Sequence, residues 1–332
     1  MRAAVLHGPG DVRIDEVPEP VPGRGEVLVA VAACGICGSD LRMYRHGGSS
    51  VPPEPFGHEF AGTIVERGPD VDPLEHPLGA RVVVNPIYAC GACVRCTASM
   101  PHLCEHIRFH GCFAGMGGGM SQRTVVRAEM AVPLPPDLSF ELGALVEPLA
   151  VGHHAVALAD TELDDRVIVV GAGPIGIATA LALRARGVEE LLVVERSETR
   201  RSMAGQLGLE TVDPTEASAR MFGARIAFDC AGTPAALAFG IDAVVARGTL
   251  VIVAAYHGML PVPAMSLMTS ERRVISSFAY APGTFAQVID LMASGAYPTS
   301  GWVHHVALDE ILDEGIAALE AGTRLKVLVD LS

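Results

Sequence analysis

The sequence predicts an α/β protein built as a β-rich domain followed by a doubly wound parallel-sheet domain. Three observations carry that expectation. Up to Glu147, short apolar runs are broken by Gly- and Pro-rich turns. Beyond it, strand-like runs alternate with helical stretches. A glycine-rich turn joins the first strand of that second series to its helix. With 332 residues, 50% of them hydrophobic and 19% charged, the chain has enough apolar surface for two cores.

In the first part, Ala3–Leu6, Glu26–Ala33, Ala61–Glu66, Arg81–Val84 and Arg123–Val126 are apolar or alternating and read as strands. Pro18, Pro20 and Pro22 between them suit a compact, irregular β domain. After Glu147 the pattern changes. Pro148 sits where a first helical turn tolerates it, opening a helix over Leu149–Leu158. Strands then follow at Val167–Val170, Leu191–Val194, Ile226–Phe228 and Leu250–Val253, with helices at Ile175–Arg186, Thr199–Leu207 and Ala235–Val245. Such alternation implies right-handed βαβ units and a parallel sheet covered on both faces. The tail carries helix signals at Phe285–Ala293 and Glu310–Leu319 and a strand at Lys326–Val329.

Composition narrows the partners. Thirty-eight acidic against 24 basic residues leave a net charge of −14. A surface that acidic repels phosphate backbones and anionic lipid, which argues against nucleic-acid and membrane partners. The mean hydropathy is +0.36, yet the longest uncharged stretch, Val167–Leu183, is only 17 residues and holds Gly171, Gly173, Pro174 and Gly176. A buried strand and helix explain it better than a bilayer span. Met1–Gly10 lacks the basic-then-apolar pattern of an export signal. The expectation is a soluble, cytoplasmic protein whose eight cysteines serve as thiols or metal ligands, not disulfides.

Gly171-Ala172-Gly173-Pro174-Ile175-Gly176 follows a strand and opens a helix. The first glycine permits the tight turn, the second lets backbone approach a pyrophosphate, and the third lets helix and strand pack closely. Glu195, at the end of the next strand, is placed to accept hydrogen bonds from the adenosine ribose hydroxyls. That carboxylate favours NAD over NADP, while Arg196, Arg200 and Arg201 leave open adenine stacking, helix capping or pairing with a 2′-phosphate.

Four cysteines, Cys90, Cys93, Cys96 and Cys104, crowd into fifteen residues. Four thiolates in one lobe make a closed tetrahedral site, which zinc fills without redox chemistry and which holds a loop together. A second, dispersed constellation consists of Cys37, His58, Glu59 and Glu147. A thiolate, an imidazole and carboxylates would leave zinc an open position, as catalysis requires. Spacing alone does not separate that set from a structural His–Glu pair.

Cys34-Gly35-Ile36-Cys37-Gly38-Ser39-Asp40, Gly57-His58-Glu59-Phe60-Ala61-Gly62, the four-cysteine lobe, Val146-Glu147-Pro148 and Gly171–Gly176 follow the order found in zinc-dependent medium-chain dehydrogenases. The chain resembles that family over nearly its whole length. The stretch from Asn85 to Val156, with Gly115–Gly119, looks most like the 2,3-butanediol dehydrogenase branch, with sorbitol and threonine dehydrogenases close by. The resemblance implies a GroES-like catalytic domain over 1–148 with a structural zinc lobe at about 88–106. It also implies a Rossmann nucleotide domain over 149–280 and a return segment, 281–332, completing the first. It implies Cys37 and His58 as catalytic zinc ligands, Glu147 where liver-type relatives have a cysteine, and Glu59 as a ligand or exchangeable ligand. Asp40 would hydrogen-bond the far nitrogen of His58, and Ser39 would relay the substrate proton. Cys34 reads as a neighbour, and Lys326, the chain's one lysine, falls where the family sets a basic residue against the cofactor pyrophosphate.

One departure concerns proton transfer. Arg42 stands where many relatives have a histidine, and it cannot shuttle protons at neutral pH, so a cofactor ribose with water, or His46, would serve instead. His153 and His154 read as helix-packing or surface residues. The expected activity is reversible oxidation of a secondary alcohol, a vicinal diol or polyol, with two zincs per subunit and NAD. Threonine, sorbitol-type and cyclitol or aminocyclitol dehydrogenases stay open. From other classes, Cys37, His58 and Glu147 together speak against a zinc-free reductase, and the net charge and complete glycine fingerprint against a zinc-ribbon module, while an inactive NAD- and zinc-binding scaffold stays open. The resemblance implies a homodimer or homotetramer, for which Thr249–Ala255 and Val274–Phe278 offer apolar edges.

Overall fold

The computed structural model describes residues 1–47, 53–216, 221–256 and 258–332. They form two compact units. One comprises Met1–Glu147, Phe285–Ile289 and Val303–Ser332; the other comprises Pro148–Thr284 and Asp290–Trp302.

The first unit is organised by the strand Glu26–Gly35, whose valines at 27, 29 and 31 are buried. It pairs antiparallel with Glu59–Arg67, with Arg123–Arg127 and with the carboxy-terminal strand Lys326–Asp330. The sheet continues on one side through Arg81–Val84 to Ala131–Pro133, and on the other through Lys326–Asp330 to Val303–Ala307. A smaller sheet joins Asp11–Glu16, Arg2–Gly8 and Glu54–Pro55. Among the elements of this unit that the sequence does not announce are the strand Asp11–Glu16, the helix Gly38–His46 and the strand Val303–Ala307. The helix expected over Glu310–Leu319 is present, as a π-helix over Ile311–Ala317 that runs into a short α-helix over Ala318–Glu320. There Gly315 lies so close to Ile36 that a Cβ would come within 2.9 Å of its side chain.

The second unit is a six-stranded, wholly parallel sheet. Its spatial order is Glu210–Val212, Leu191–Val194, Val167–Val170, Ala224–Asp229, Val244–Ile252, Arg273–Ser276. In chain order this is 3-2-1-4-5-6, the doubly wound arrangement that reverses beside its first strand and opens a crevice there. All four residues of Val167–Val170 and of Leu191–Val194 are buried, as strands covered on both faces require. Helix Val146–Leu158 begins at the end of the first unit, and its His153 and His154 are buried. His153 Nδ1 lies 3.2 Å from the Tyr297 hydroxyl. Among the described residues, no helix is long and apolar enough to cross a membrane.

Candidate active site and dinucleotide cleft

Strand pairing builds the first site. Along Glu26–Gly35, Cys34 pairs with Phe60 and Gly35 with Glu59, while on the other flank Gly35 pairs with Leu328. The chain then leaves the sheet, and Cys37 becomes the residue at the amino terminus of helix Gly38–His46. Asp40, in the first turn of that helix, reaches back and its Oδ2 accepts the Cys37 N–H at 2.8 Å. His58 follows Gly57, whose φ of +92° and contacts with Met120 and Cys34 admit no Cβ.

These turns gather Cys37, His58 and Glu59 so that one ligand atom from each lies within 4.8 Å of the others. Glu147, buried in the first turn of helix Val146–Leu158, is not a member of that set. The Ser39 hydroxyl is 3.4 Å from His58 Nε2. On the other side of the ring, Nδ1 faces two groups: Cys112 Sγ at 3.3 Å and Asp40 Oδ1 at 3.5 Å. The second distance exceeds a hydrogen bond, and Oδ1 is buried with no hydrogen-bond partner among the described residues. Cys112 is therefore a neighbour of the site that sequence reading left without a role.

The electrostatics suit a cation. Burial works against charge on His58, yet Cys112, Asp40 and Cys37 around it push its pKa well above the usual imidazole range. Burial, then Glu59, raise the Cys37 thiol. A divalent cation reverses that penalty, because a coordinated thiol gives up its proton. The residues present fit zinc with a position left over.

Lys326, expected against the cofactor pyrophosphate, has its contacts within the first unit. Its ammonium, 1% exposed, is held by the Glu59 carboxylate and by the Ile36 carbonyl at 3.0 Å. Burial lowers its pKa and Glu59 more than offsets that, leaving the ammonium above its ordinary range. The pair passes directly over Gly35, where a Cβ would lie 2.3 Å from Glu59 Oε2 and 2.9 Å from Lys326 Nζ.

The four-cysteine lobe is local. Cys93 Sγ lies 3.5 Å from Cys96 and 3.9 Å from Cys104, and Cys90 lies 3.9 Å from Cys96. A tetrahedron of sulfurs at the usual zinc–sulfur length of about 2.3 Å has edges of about 3.8 Å. The observed spacings match that cage, whereas a disulfide would bring two sulfurs to about 2.05 Å. Backbone amides already favour thiolate here: the N–H of Cys93 donates to Cys90 Sγ, and those of Cys90 and His106 donate to Cys104 Sγ, each at 3.3 Å. The amide of Glu105, with that of Cys96, draws the Cys93 thiol down to about 6, while burial and the neighbouring Cys93 push Cys96 up to about 12.

In the second unit, the crevice beside Val167–Val170 is a cleft of about 260 Å³ lined by Gly171, Gly173, Glu195, Arg196, Arg200 and Cys230, among others. Gly171 has φ +99°, and a Cβ on Gly176 would lie 1.9 Å from the Gly171 carbonyl, so both positions need glycine. A Cβ on Gly173 would meet nothing within 4 Å. That open space lies at the start of helix Pro174–Ala185, where Pro174 and Ile175 form the first turn and unpaired N–H groups attract phosphate. The cleft fits a dinucleotide. Glu195 is buried, and its carboxylate oxygens accept the N–H groups of Ala172 at 2.9 Å and Ser197 at 2.8 Å.

With fold and sites defined, comparison with known proteins assigns the class. Residues 23–136 match the alcohol dehydrogenase GroES-like domain and residues 174–294 the zinc-binding dehydrogenase domain. The (R,R)-butanediol dehydrogenase of Bacillus subtilis (strain 168) is 34% identical over 99% of both chains. Bos taurus sorbitol dehydrogenase is 33% identical, covering 98% of this chain and 94% of that protein. The crystal structure of 2R,3R-butanediol dehydrogenase from Bacillus subtilis superposes with a TM-score of 0.90, at 33% identity and 99% coverage of each chain. This chain belongs to the zinc-dependent medium-chain dehydrogenase family, in the branch of butanediol and sorbitol dehydrogenases. It is an alcohol or polyol oxidoreductase.

Proposed function

We propose that the chain interconverts a secondary alcohol of the vicinal diol or polyol class with its ketone, hydride passing to a nicotinamide dinucleotide. The observation that carries this reading is the cluster of Cys37, His58 and Glu59 with the Ser39 hydroxyl beside His58 Nε2. In this reading Cys37, His58 and Glu59 hold the catalytic zinc, with Glu147 as a further carboxylate. Cys90, Cys93, Cys96 and Cys104 hold the structural one. When bound, the zinc supplies Lewis acidity that eases loss of the substrate's hydroxyl proton, and the dinucleotide accepts the hydride from the carbinol carbon.

The chain's own residues do the rest. Ser39 would accept the hydroxyl proton while passing its own to water, directly or through a ribose hydroxyl of the bound cofactor. Asp40 and Cys112 keep the His58 ring oriented from its Nδ1 side. The onward route does not run directly from Ser39 to His46: seven residues along one helix is about 10 Å. Gly171, Gly173, Pro174, Ile175 and Gly176 seat the pyrophosphate, Glu195 holds the glycine turn through the Ala172 N–H, and the nicotinamide is thereby fixed.

The test is replacement of Cys37 by Ser and His58 by Ala. Each should lower kcat by at least about a thousandfold on diol substrates while the dinucleotide still binds with wild-type affinity by calorimetry. Full turnover in either variant, or loss of dinucleotide binding in a folded Cys37→Ser protein, overturns the assignment.

A further inference from the structure

Helix Gly38–His46, which brings Ser39 to the cluster, has two sides of different character. Asp40 and Met43 are buried, and Met43, Leu41 and Tyr44 pack on the apolar core of the first unit. The opposite side is exposed and holds Ser39, Arg42 and His46. At 3.6 residues per turn, these positions, spaced i, i+3 and i+7, fall within about 60° of one another around the axis. They form one stripe that begins at the Ser39 hydroxyl. Arg42 stands about 4.5 Å along the axis from Ser39, and side chains three apart on a helix are neighbours.

The two arginines of this helix are committed differently. The Arg45 guanidinium donates to Glu320 Oε1 at 2.5 Å. Arg42 has no carboxylate at ion-pairing distance among the described residues, and the ten residues outside that description include no Asp or Glu. Proton transfer does not explain its place, because a guanidinium keeps its protons at neutral pH. Nor is it needed to balance the cluster. Lys326 already holds the Glu59 carboxylate, and the Cys37 sulfur is available to a metal. A neutral alcohol would ask no further charge of the protein. A guanidinium one turn from the proton acceptor suits a substrate that carries negative charge a few bonds from its carbinol carbon.

We propose that the substrate is a secondary alcohol bearing an oxyanion, a carboxylate or a phosphate, and that Arg42 is the residue that binds it. The proposal rests on the reading of the cluster and Ser39 as a dehydrogenase centre and names the class of its substrate. Guanidiniums bind both oxyanions through paired, charge-assisted hydrogen bonds. Ser39 meets the reacting hydroxyl and Arg42 the charged end, so the helix selects for the separation of the two as well as for charge.

The experiment holds chain length constant and varies charge. Erythritol, erythronate and erythritol 4-phosphate, with their threo epimers, are assayed on the full-length zinc-loaded protein, with NAD and NADP supplied in parallel. At least one anionic probe should exceed its neutral parent in kcat/KM by about tenfold or more, and the preference should shrink as salt is raised. Whichever anion gains, carboxylate or phosphate, identifies the source. Arg42→Gln should bring the ratio to within about threefold, chiefly through KM of the anionic probe, and Arg42→Lys should keep part of it. A neutral probe equal to or better than both anions in the wild type overturns this substrate assignment and leaves the dehydrogenase standing. A ratio untouched by Arg42→Gln also overturns it, and is the result expected if the oxyanion binds zinc directly. Calorimetry with the same probes separates the two readings without turnover. Anion binding that is at least about tenfold tighter than that of the neutral parent and lost in Arg42→Gln, with no alcohol oxidised, overturns the dehydrogenase reading and leaves the anion site standing.

Discussion

Lys326 and Glu59 are both buried to 1% exposure, and each is the charge that makes the other tolerable there. Replacing Lys326 with Met keeps the aliphatic stem and deletes the ammonium, leaving the Glu59 carboxylate without its cation. Removing one member of a buried ion pair costs about 3–5 kcal/mol. At about 1.4 kcal/mol per tenfold, amide protection in the flanking strands should fall by roughly two to three and a half orders of magnitude. The assay is hydrogen exchange read by mass spectrometry on peptides spanning Glu59–Arg67 and Lys326–Asp330, the strands that the pair joins across Glu26–Gly35. The single tryptophan, Trp302, belongs to the other compact unit and is the wrong probe. The loss should be largest in metal-stripped protein, because a divalent cation at the Cys37–His58–Glu59 cluster can take over the carboxylate's charge. Adding Glu59→Gln to Lys326→Met should restore much of the protection, since the stranded charge is gone.

The pH window follows from the sign of the shift. The Lys326 pKa is raised on folding. Its contribution is therefore complete below the unfolded value of about 10.4 and is lost only as pH climbs through the higher folded value. Exchange between pH 7 and 9 sees the full effect. Protection in Lys326→Met within about threefold of wild type, or a double variant no better than the single one, would refute the reasoning.

Two further outcomes test the neighbouring geometry. Gly35→Ala places a methyl 2.3 Å from Glu59 Oε2 and 2.9 Å from Lys326 Nζ, so the pair must separate. Zinc affinity at the cluster should drop by about tenfold or more in competition with a chelator, and unchanged affinity would show that the pair has room to shift. In the cysteine lobe, Cys90→Ser should remove one zinc per chain by elemental analysis while leaving the other. Because the Cys93 thiol is depressed to about 6, its contribution holds above its unfolded value and fades as pH falls through the folded one. The lobe should thus release zinc on acidification through about pH 6, followed with a chromogenic chelator; retention at pH 5 equal to that at pH 7.5 would contradict the linkage.

Some of this molecule is written locally. The strands Arg81–Val84, Val167–Val170 and Leu191–Val194 match the sequence expectation to the residue, because strands in a covered sheet are unbroken apolar runs between turns. The glycine turn and the four cysteines between Cys90 and Cys104 are equally legible, since each needs only neighbours within one loop. What lacks a local signal was missed. Helix Gly38–His46 is polar and starts at a cysteine, a residue type that does not announce a helix cap. The strand Arg273–Ser276 lies at a sheet edge with its side chains largely exposed, and no alternation marks it.

The sequence by itself determined which residue types are available for zinc and dinucleotide, and the order in which they come. Tertiary structure alone decided their partners. Glu59 meets Lys326 across 267 residues only because two strands flank Gly35, and Cys112 meets His58 across 54. Glu195 is tied by two converging backbone amides in the cleft that Arg196 and Arg200 also line. Charge and spacing along a chain set what can bind; burial and pairing set which charges remain free to do so.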